Sequence, residues 1–264
     1  MNPHGLIVVP RKPEDYVHGD HLLGDQALNY TGQWEGYLPV AEDQNTFSEP
    51  EACTSYGTLN AIEVLLRHEF GATENLSDRF LAFTSGTTQA GNDPHKVAET
   101  LRKGGDVYEA DWPYTFADNS WSTFYQKPPQ SLILKALEFS QEFALGHSWV
   151  NTDPASMMNA LTFSPLGAGG YAWATDKDGL YYTPPGAQPT HWFMVYGYVE
   201  GKYWKAFDSY SPEVKRLRWD YNFAMCKRYT LHRQIVSEMW WQKFLTIFNA
   251  YIESVRRTLG LQAL

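Results

Sequence analysis

A chain of 264 residues can form one large domain or two small ones. Its hydrophobic fraction of 43% is that of an ordinary globular protein, and 10 Trp, 17 Tyr and 14 Phe make core and clefts rich in rings. A formal net charge of -9 argues against the basic face that a nucleic-acid backbone requires, and two cysteines, Cys53 and Cys226, are too few for a disulfide-stapled scaffold. The pair could form one disulfide, but Cys53 has the stronger claim to a free thiol.

The opening residues, MNPHGLIVVPRKPEDY, hold a short apolar run cut by Pro10 and lack the h-region and cleavage site of a signal peptide. No uninterrupted apolar stretch reaches the length of a membrane span, so the default expectation is a cytoplasmic chain. Residues 1–37 read as an arm laid over a domain surface. The histidines of His18-Gly-Asp-His21 lack a convincing third ligand, and no metal or cofactor is expected.

From Asp43 the chain reads DQNTFSEPEACTSYGTLNAIE, turn-rich at first and helical past Cys53. Ala52, Tyr56, Leu59, Ile62, Val64 and Leu66 form an apolar stripe at roughly helical spacing, and the helix runs to about His68 before Gly71. Cys53 therefore lies at a helix N-terminus, whose partial positive charge favours a thiolate and lowers the pKa. Ser77–Phe83 is a short helix or turn. A loop then leads to Pro94, which suits a first helical turn, and that helix stops at Gly104-Gly105. Trp112-Pro113-Tyr114 is extended, and residues 131–145 form a short helix or a strand pair.

Asp153 caps a helix over about Ala155–Phe163. The run Gly167-Ala-Gly-Gly170 lacks the Lys-Ser/Thr of a phosphate loop and reads as a tight turn into a strand. HWFMVYGYVEG and KYWKAFDSYSP are two strands joined at Glu200-Gly201. Residues 217–235 continue the β-rich half with one short helical piece, and 237–259 form an amphipathic helix. Helices first and strands second point to α+β with two lobes.

A nucleophilic cysteine needs a base, and the base needs an orienting acceptor. His191 begins the first strand of the hairpin and Asp208 follows the second, so both lie near one end of it. Gln44, nine positions before Cys53, offers a side-chain amide to an oxyanion. The order Gln, Cys on a helix start, then a distant His and Asp in strands makes a constellation of residues that are unremarkable singly.

These residues carry a resemblance to the papain-like cysteine peptidases over roughly 38–232. DQNTFSEPEACTSYGTLNAIE resembles the family's Gln-to-Cys motif and central helix. AGNDPHKVAETLRKGGDVYEADWPYT resembles the stretch after it, and THWFMVYGYVEGKYWKAFDSYSP its His strand and Asn-Ser-Trp motif. His191 follows Cys53 at a separation inside the family's range of about 130–150 residues.

The resemblance implies a two-lobed fold: a helical lobe over about 38–130, a β-rich lobe over about 131–236, a cleft between them, and helix 237–264 as an addition. It implies Cys53 as nucleophile, His191 as base and then acid, Asp208 in the place of an orienting Asn, and Gln44 as oxyanion donor beside the Cys53 N–H. Gly91 and Asn92 match the substrate-strand contact, Trp192 the cleft wall, and Tyr210 the ring over the His–acceptor pair.

Four departures stand out. The signature C-G-S/A-C-W/Y is not met, since Pro50, Glu51 and Ala52 precede Cys53 and Thr54 follows it. Pro50 stands where a cysteine is usual, Asp208 replaces an asparagine, and Gln44 lies three residues too far from Cys53, which requires a loop insertion over 45–49.

The expected activity is peptide-bond hydrolysis, endo or exo, on peptide or protein substrates. A transglutaminase- or amidase-like Cys-His-Asp enzyme and an inactive papain-like binding module are the alternatives. The C-terminal helix is expected to pack on its own chain, to self-associate or to dock on a membrane surface.

Overall fold

The computed structural model describes residues 5–19 and 26–234, with Thr246, Phe248 and Ala250 helical beyond them. The helix expected over 237–259 otherwise lies outside the described residues, as do Asp20 and His21. His18, the described member of that pair, is hydrogen bonded to Asn159 and Arg228.

Helix α1 (Cys53–Phe70) runs through the middle of the molecule and is buried from Cys53 to Leu66. It ends where Gly71 turns left-handed (φ 66°) and donates to the carbonyls of Leu66 and Arg67. Against it pack α2 (Asp78–Thr84), whose Ser77 cap accepts from Phe80 N, and α3 (Pro94–Gly104), capped by Asp93. After the short α4 (Trp121–Phe124), α5 (Gln130–Glu142) leads directly into strand β1 (Phe143–Val150). The stretch 131–145 is thus a helix and then a strand.

Helix α6 (Pro154–Leu161), capped by Asp153 as expected, precedes β2 (Leu166–Gly170), β3 (Ala174–Thr175), β4 (Tyr181–Tyr182), β5 (His191–Val199), β6 (Tyr203–Phe207), β7 (Val214–Arg218) and β8 (Met225–Arg233). They form one sheet in the order β1-β8-β2-β5-β6-β7-β4-β3, antiparallel except for β4 beside β7.

Two expectations change. Gly167–Gly170 are not a turn before a strand but the strand itself. A Cβ on Gly167 would meet the Trp192 ring at 2.5 Å, and one on Gly170 the Tyr221 hydroxyl at 2.5 Å, so the glycines make room for rings. The short helical piece expected within 217–235 is absent there, where a turn joins β7 to β8.

The main apolar core among the described residues joins Leu59, Ile62 and Leu66 of α1 to Phe193, Val195, Ala206 and Cys226 of the sheet. Both cysteines are free. No helix among the described residues is long and apolar enough to cross a membrane.

The arm is bound along much of its described length. Arg11 donates to Val150 O and Asn151, the Tyr16–His18 backbone pairs with Trp149 on edge strand β1, and Trp34 N donates to Tyr196 O. Under it a cavity of about 420 Å³ is lined by His95, His147, Trp149 and the buried Lys227, but by no residue of the Cys–His constellation.

The helical lobe also buries carboxyls. Burial pushes Glu63, Asp78 and Asp106 well above the carboxylate range, and Glu109 up to about 7. Glu42, hydrogen bonded to Asp78, is raised as well. Such a group keeps a proton that the unfolded chain surrenders near pH 4, so its stabilisation is complete below that value and is lost as pH rises. Burial lowers His147 to about 4, which acts in the opposite sense between there and about 6.5, one imidazole against five carboxyls. Between pH 5 and pH 7 the midpoint of thermal unfolding is therefore expected to fall; a rise over that interval would contradict protonated acids in the helical lobe.

Candidate active site

Cys53 opens α1 without a side-chain cap, behind Glu51, whose φ of 54° lies in the left-handed region. Four residues on, one turn along the same helix face, Gly57 lies flat against β5. A Cβ there would meet the Trp192 ring at 2.8 Å and the Phe193 backbone at 3.1 Å. That contact brings the start of the helix to the start of the strand, and the Trp192 backbone N–H donates to the Cys53 sulfur.

The sulfur is fully buried, and here the sequence-based expectation is overturned. Burial pushes the thiol well above its usual pKa. The Trp192 N–H works the other way, but the carboxylates of Glu49, Asp208 and Glu51 add to the rise. The helix-terminus effect is modest and local, while desolvation of a thiolate is large.

His191 and Asp208 meet as the hairpin predicts. His191 Nε2 lies 2.5 Å from Asp208 Oδ1, with both side chains fully buried. Because an ionised carboxylate only accepts, this contact places the proton on Nε2 and makes Nδ1 the nitrogen suited to exchange a proton with a thiol. The Tyr210 ring lies 5.0 Å from the imidazole and Trp173 lies 5.5 Å away, edge-on.

The other oxygen of Asp208 forms an ion pair with Lys215 Nζ at 2.8 Å; this lysine is almost fully buried. Burial by itself would raise Asp208, but the His191 and Lys215 charges hold its carboxyl below the usual range. Lys215 also donates to the carbonyls of Tyr210 and Pro212, so one ammonium fixes the turn that carries both Asp208 and Tyr210.

Gln44 reaches the site despite the long spacing. Its backbone N–H donates to Ser209 O at 2.9 Å and its Oε1 accepts from Ser209 Oγ at 2.8 Å. Its Nε2 donates to Glu49 Oε1 at 2.7 Å and to the Tyr210 hydroxyl at 2.6 Å. The Tyr210 hydroxyl in turn donates to Glu49 Oε2.

Gly91 and Asn92 are in contact with an extended chain, and that chain is the protein's own arm. Asn92 N donates to Gly5 O and Asn92 O accepts from Ile7 N, both at 2.8 Å, in parallel register with Leu6 between them. Leu6 N donates to the carbonyl of Thr190, next to His191. The Leu6 side chain packs in one buried cluster with Cys53, Trp192, Trp149 and Met225. Trp192 is thus a fully buried platform beneath the arm. The tightness is specific: a Cβ on Gly91 would lie 1.8 Å from Gly5 O, and one on Gly5 would lie 2.2 Å from Glu51 O.

Sequence reasoning missed Lys215, Glu49 and the seat of Gly5–Ile7. The alternation of VKRLR, with Lys215 and Leu217 inward, marks Lys215 as facing the core.

No family model and no curated protein matches the sequence. Solved structures do. The chain aligns with the cysteine protease and lectin-like domains of Cwp84, a surface layer associated protein of Clostridium difficile, at a TM-score of 0.68 and 15% identity, covering 88% of this chain and 57% of that one. Xylellain, a cysteine protease from Xylella fastidiosa, aligns at a TM-score of 0.64 and 16% identity, over 89% of this chain and 97% of its own. Digestive procathepsin L 3 of Tenebrio molitor larval midgut aligns at 0.60 and 19%, over 87% and 76%. At these identities the likeness is one of fold: the chain has the papain-like α+β fold.

The Asp208–Lys215 pair is open to a direct test. Asp208→Asn leaves a buried ammonium without its counter-ion, and Lys215→Met leaves a buried carboxylate short of one. Each single change is expected to cost about 3–5 kcal/mol. The double substitution is expected to cost less than the sum by about 1–3 kcal/mol. Urea unfolding of the four chains measures this, and strict additivity would show that the two charges do not depend on each other.

Proposed function

We propose that the chain is a cysteine-type peptidase that cleaves peptide or protein substrates through an acyl-thioester on Cys53. The observation that carries this reading is the peptide already held beside the sulfur. Gly5–Ile7 lies extended, its backbone bonded to Asn92 and Thr190, with Leu6 packed on Cys53. Backbone pairing of this kind accepts any extended chain, whereas side-chain pockets give selectivity. The arm that occupies the groove therefore also excludes substrate.

The chemistry follows from the geometry. Cys53 gives its proton to His191 Nδ1, and the sulfur attacks the substrate carbonyl carbon. The oxygen takes up the electron pair and is held by the Cys53 backbone N–H and a Gln44 N–H. As the tetrahedral adduct collapses, the C–N bond breaks and His191 Nδ1–H protonates the leaving amine. Water then loses a proton to His191, attacks the thioester, and releases the carboxylic acid and the thiol. Asp208 keeps the imidazole oriented throughout and stabilises its charged form. No cofactor enters the balance.

The buried, protonated thiol favours a second reading, in which the same groove binds peptide without cleaving it. The two differ once the arm is displaced. Gly5→Val adds a side chain where only a glycine fits and should eject the arm without shortening the chain. On the peptidase reading, Gly5→Val raises kcat/KM on peptide substrates by about tenfold or more, in proportion to the open fraction. It also speeds alkylation of Cys53 relative to Cys226. Cys53→Ala and His191→Ala in that background abolish turnover. Undiminished hydrolysis by Cys53→Ala protein would overturn the peptidase, and a Gly5→Val chain that binds peptide without cleaving it would establish the binding module.

A further inference from the structure

The five residues Asn45–Glu49 that lengthen the Gln44-to-Cys53 connection place a carboxylate on the amide that the proposed reaction needs. A carboxylate can only accept, so the Gln44 atom 2.7 Å from Glu49 Oε1 is the nitrogen, and Ser209 Oγ correspondingly meets the oxygen. That nitrogen has two hydrogens. One goes to Glu49 and the other to the Tyr210 hydroxyl, which itself donates back to Glu49. The three side chains close a ring of hydrogen bonds, and both Gln44 donors are engaged. Glu49 Oε1 takes a further bond from the Glu51 backbone N–H at 2.8 Å. In the state described, a negative oxygen therefore already sits on the Gln44 donor.

We infer that Glu49 is an internal stand-in for the substrate's oxyanion: it holds the Gln44 amide in the closed site and yields one N–H when the tetrahedral adduct forms. This rests on the peptidase reading. The competition is between like chemistries. A neutral substrate carbonyl is a weaker acceptor than a carboxylate and cannot win the donor, whereas the fully charged oxygen of the adduct can. The exchange costs the reaction part of the stabilisation that a free donor would give.

Glu49 acts on the sulfur as well. It is among the carboxylates whose charge opposes ionisation of Cys53, together with Asp208 and Glu51. The titratable and charged groups around it are Glu51 on its own loop, Cys53 at the start of α1, Tyr125 after α4, and His191, Asp208 and Tyr210 at the end of the β5–β6 hairpin, with Lys215 of β7 behind Asp208. Lys215 is bonded to Asp208 and to backbone carbonyls, not to Glu49.

Glu49 is thus a positioning residue with an inhibitory sign, which distinguishes it from a strut that merely orients Gln44. The test uses the full-length chain, native and Gly5→Val, each with Glu49→Gln, Glu49→Ala, and Glu49→Gln combined with Gln44→Ala. Glu49→Gln is expected to raise kcat on a peptide substrate by about tenfold, with KM little changed. It should also shift the pH midpoint of Cys53 alkylation by iodoacetamide downward. Glu49→Ala should do the same, and the gain in kcat should vanish when Gln44 is removed as well.

A starting chain that turns over but is slowed or left unchanged by both Glu49 variants overturns this inference alone, because a strut fails in that direction. An alkylation midpoint that does not move overturns the electrostatic part, and it is read even from a variant too unstable for long assays. No turnover in any chain, with Cys53 still alkylated, overturns the peptidase reading and this inference with it.

Discussion

The site depends on how closely α1 can approach β5. Gly57 allows it: the helix backbone lies on the Trp192 ring and the Phe193 backbone at distances that a methyl group would not permit. One turn earlier the same face carries Cys53, so contact at Gly57 becomes contact between the sulfur and the Trp192 N–H. His191 is the next residue back along the strand and needs no loop to deliver it. Cys53 and His191, the nucleophile and base of the proposed reaction, are set by a helix–strand packing distance, and rigid elements hold such a distance better than loops do. The fully buried Trp192 and Phe193 are part of that spacing.

On the far side of the imidazole the fold solves a different problem. A carboxylate where the resemblance implies an amide adds a buried negative charge, which would by itself disfavour a thiolate close by. Lys215 answers that charge from behind, at 2.8 Å, and its other bonds reach two carbonyls of the same turn. Asp208 and Lys215 together orient the imidazole at nearly zero net charge, close to what a neutral amide would provide. The aspartate is therefore legible as a paired substitution whose second half lies seven residues later, on β7. A buried ion pair of this kind gives little net stability over an apolar pair of similar volume, but neither half can be removed alone without exposing the cost of the other.

Much of this was readable from the chain and some was not, for physical reasons. The helix at Cys53, its Gly71 stop, Pro94 in the first turn of α3, the Asp153 cap and the hairpin turning at Glu200-Gly201 rest on local chemistry, and local chemistry is written in short windows. The meeting of His191 with Asp208 follows from hairpin geometry alone. The state of the thiol does not. A helix N-terminus is visible in sequence, but complete burial beside three carboxylates is a tertiary fact, and it reverses the sign. The glycines of β2 looked like a turn because the rings that need their space come from Trp192, Tyr221 and Tyr229, far away in sequence. Glu49 was hidden in a spacing anomaly that looked like a defect in the resemblance; the extra residues give the Gln44 amide a partner.

These features together describe a site closed at several depths. The arm fills the groove through backbone bonds to Asn92 and Thr190, a carboxylate holds the amide, and the sulfur carries its proton in a dry pocket. The layers are coupled physically. Leu6 helps to exclude water from Cys53, and exclusion of water is the largest cause of the thiol's raised pKa. Gly5 lies on the carbonyl of Glu51, whose own N–H is bonded to Glu49. On the peptidase reading, departure of the arm lets water reach the sulfur and removes the contact of Gly5 on the Glu51 carbonyl, beside the N–H that holds Glu49. A single displacement then acts on the groove, on Cys53 and on the Gln44 amide together, because each is held by neighbours of the same two residues, Gly5 and Leu6.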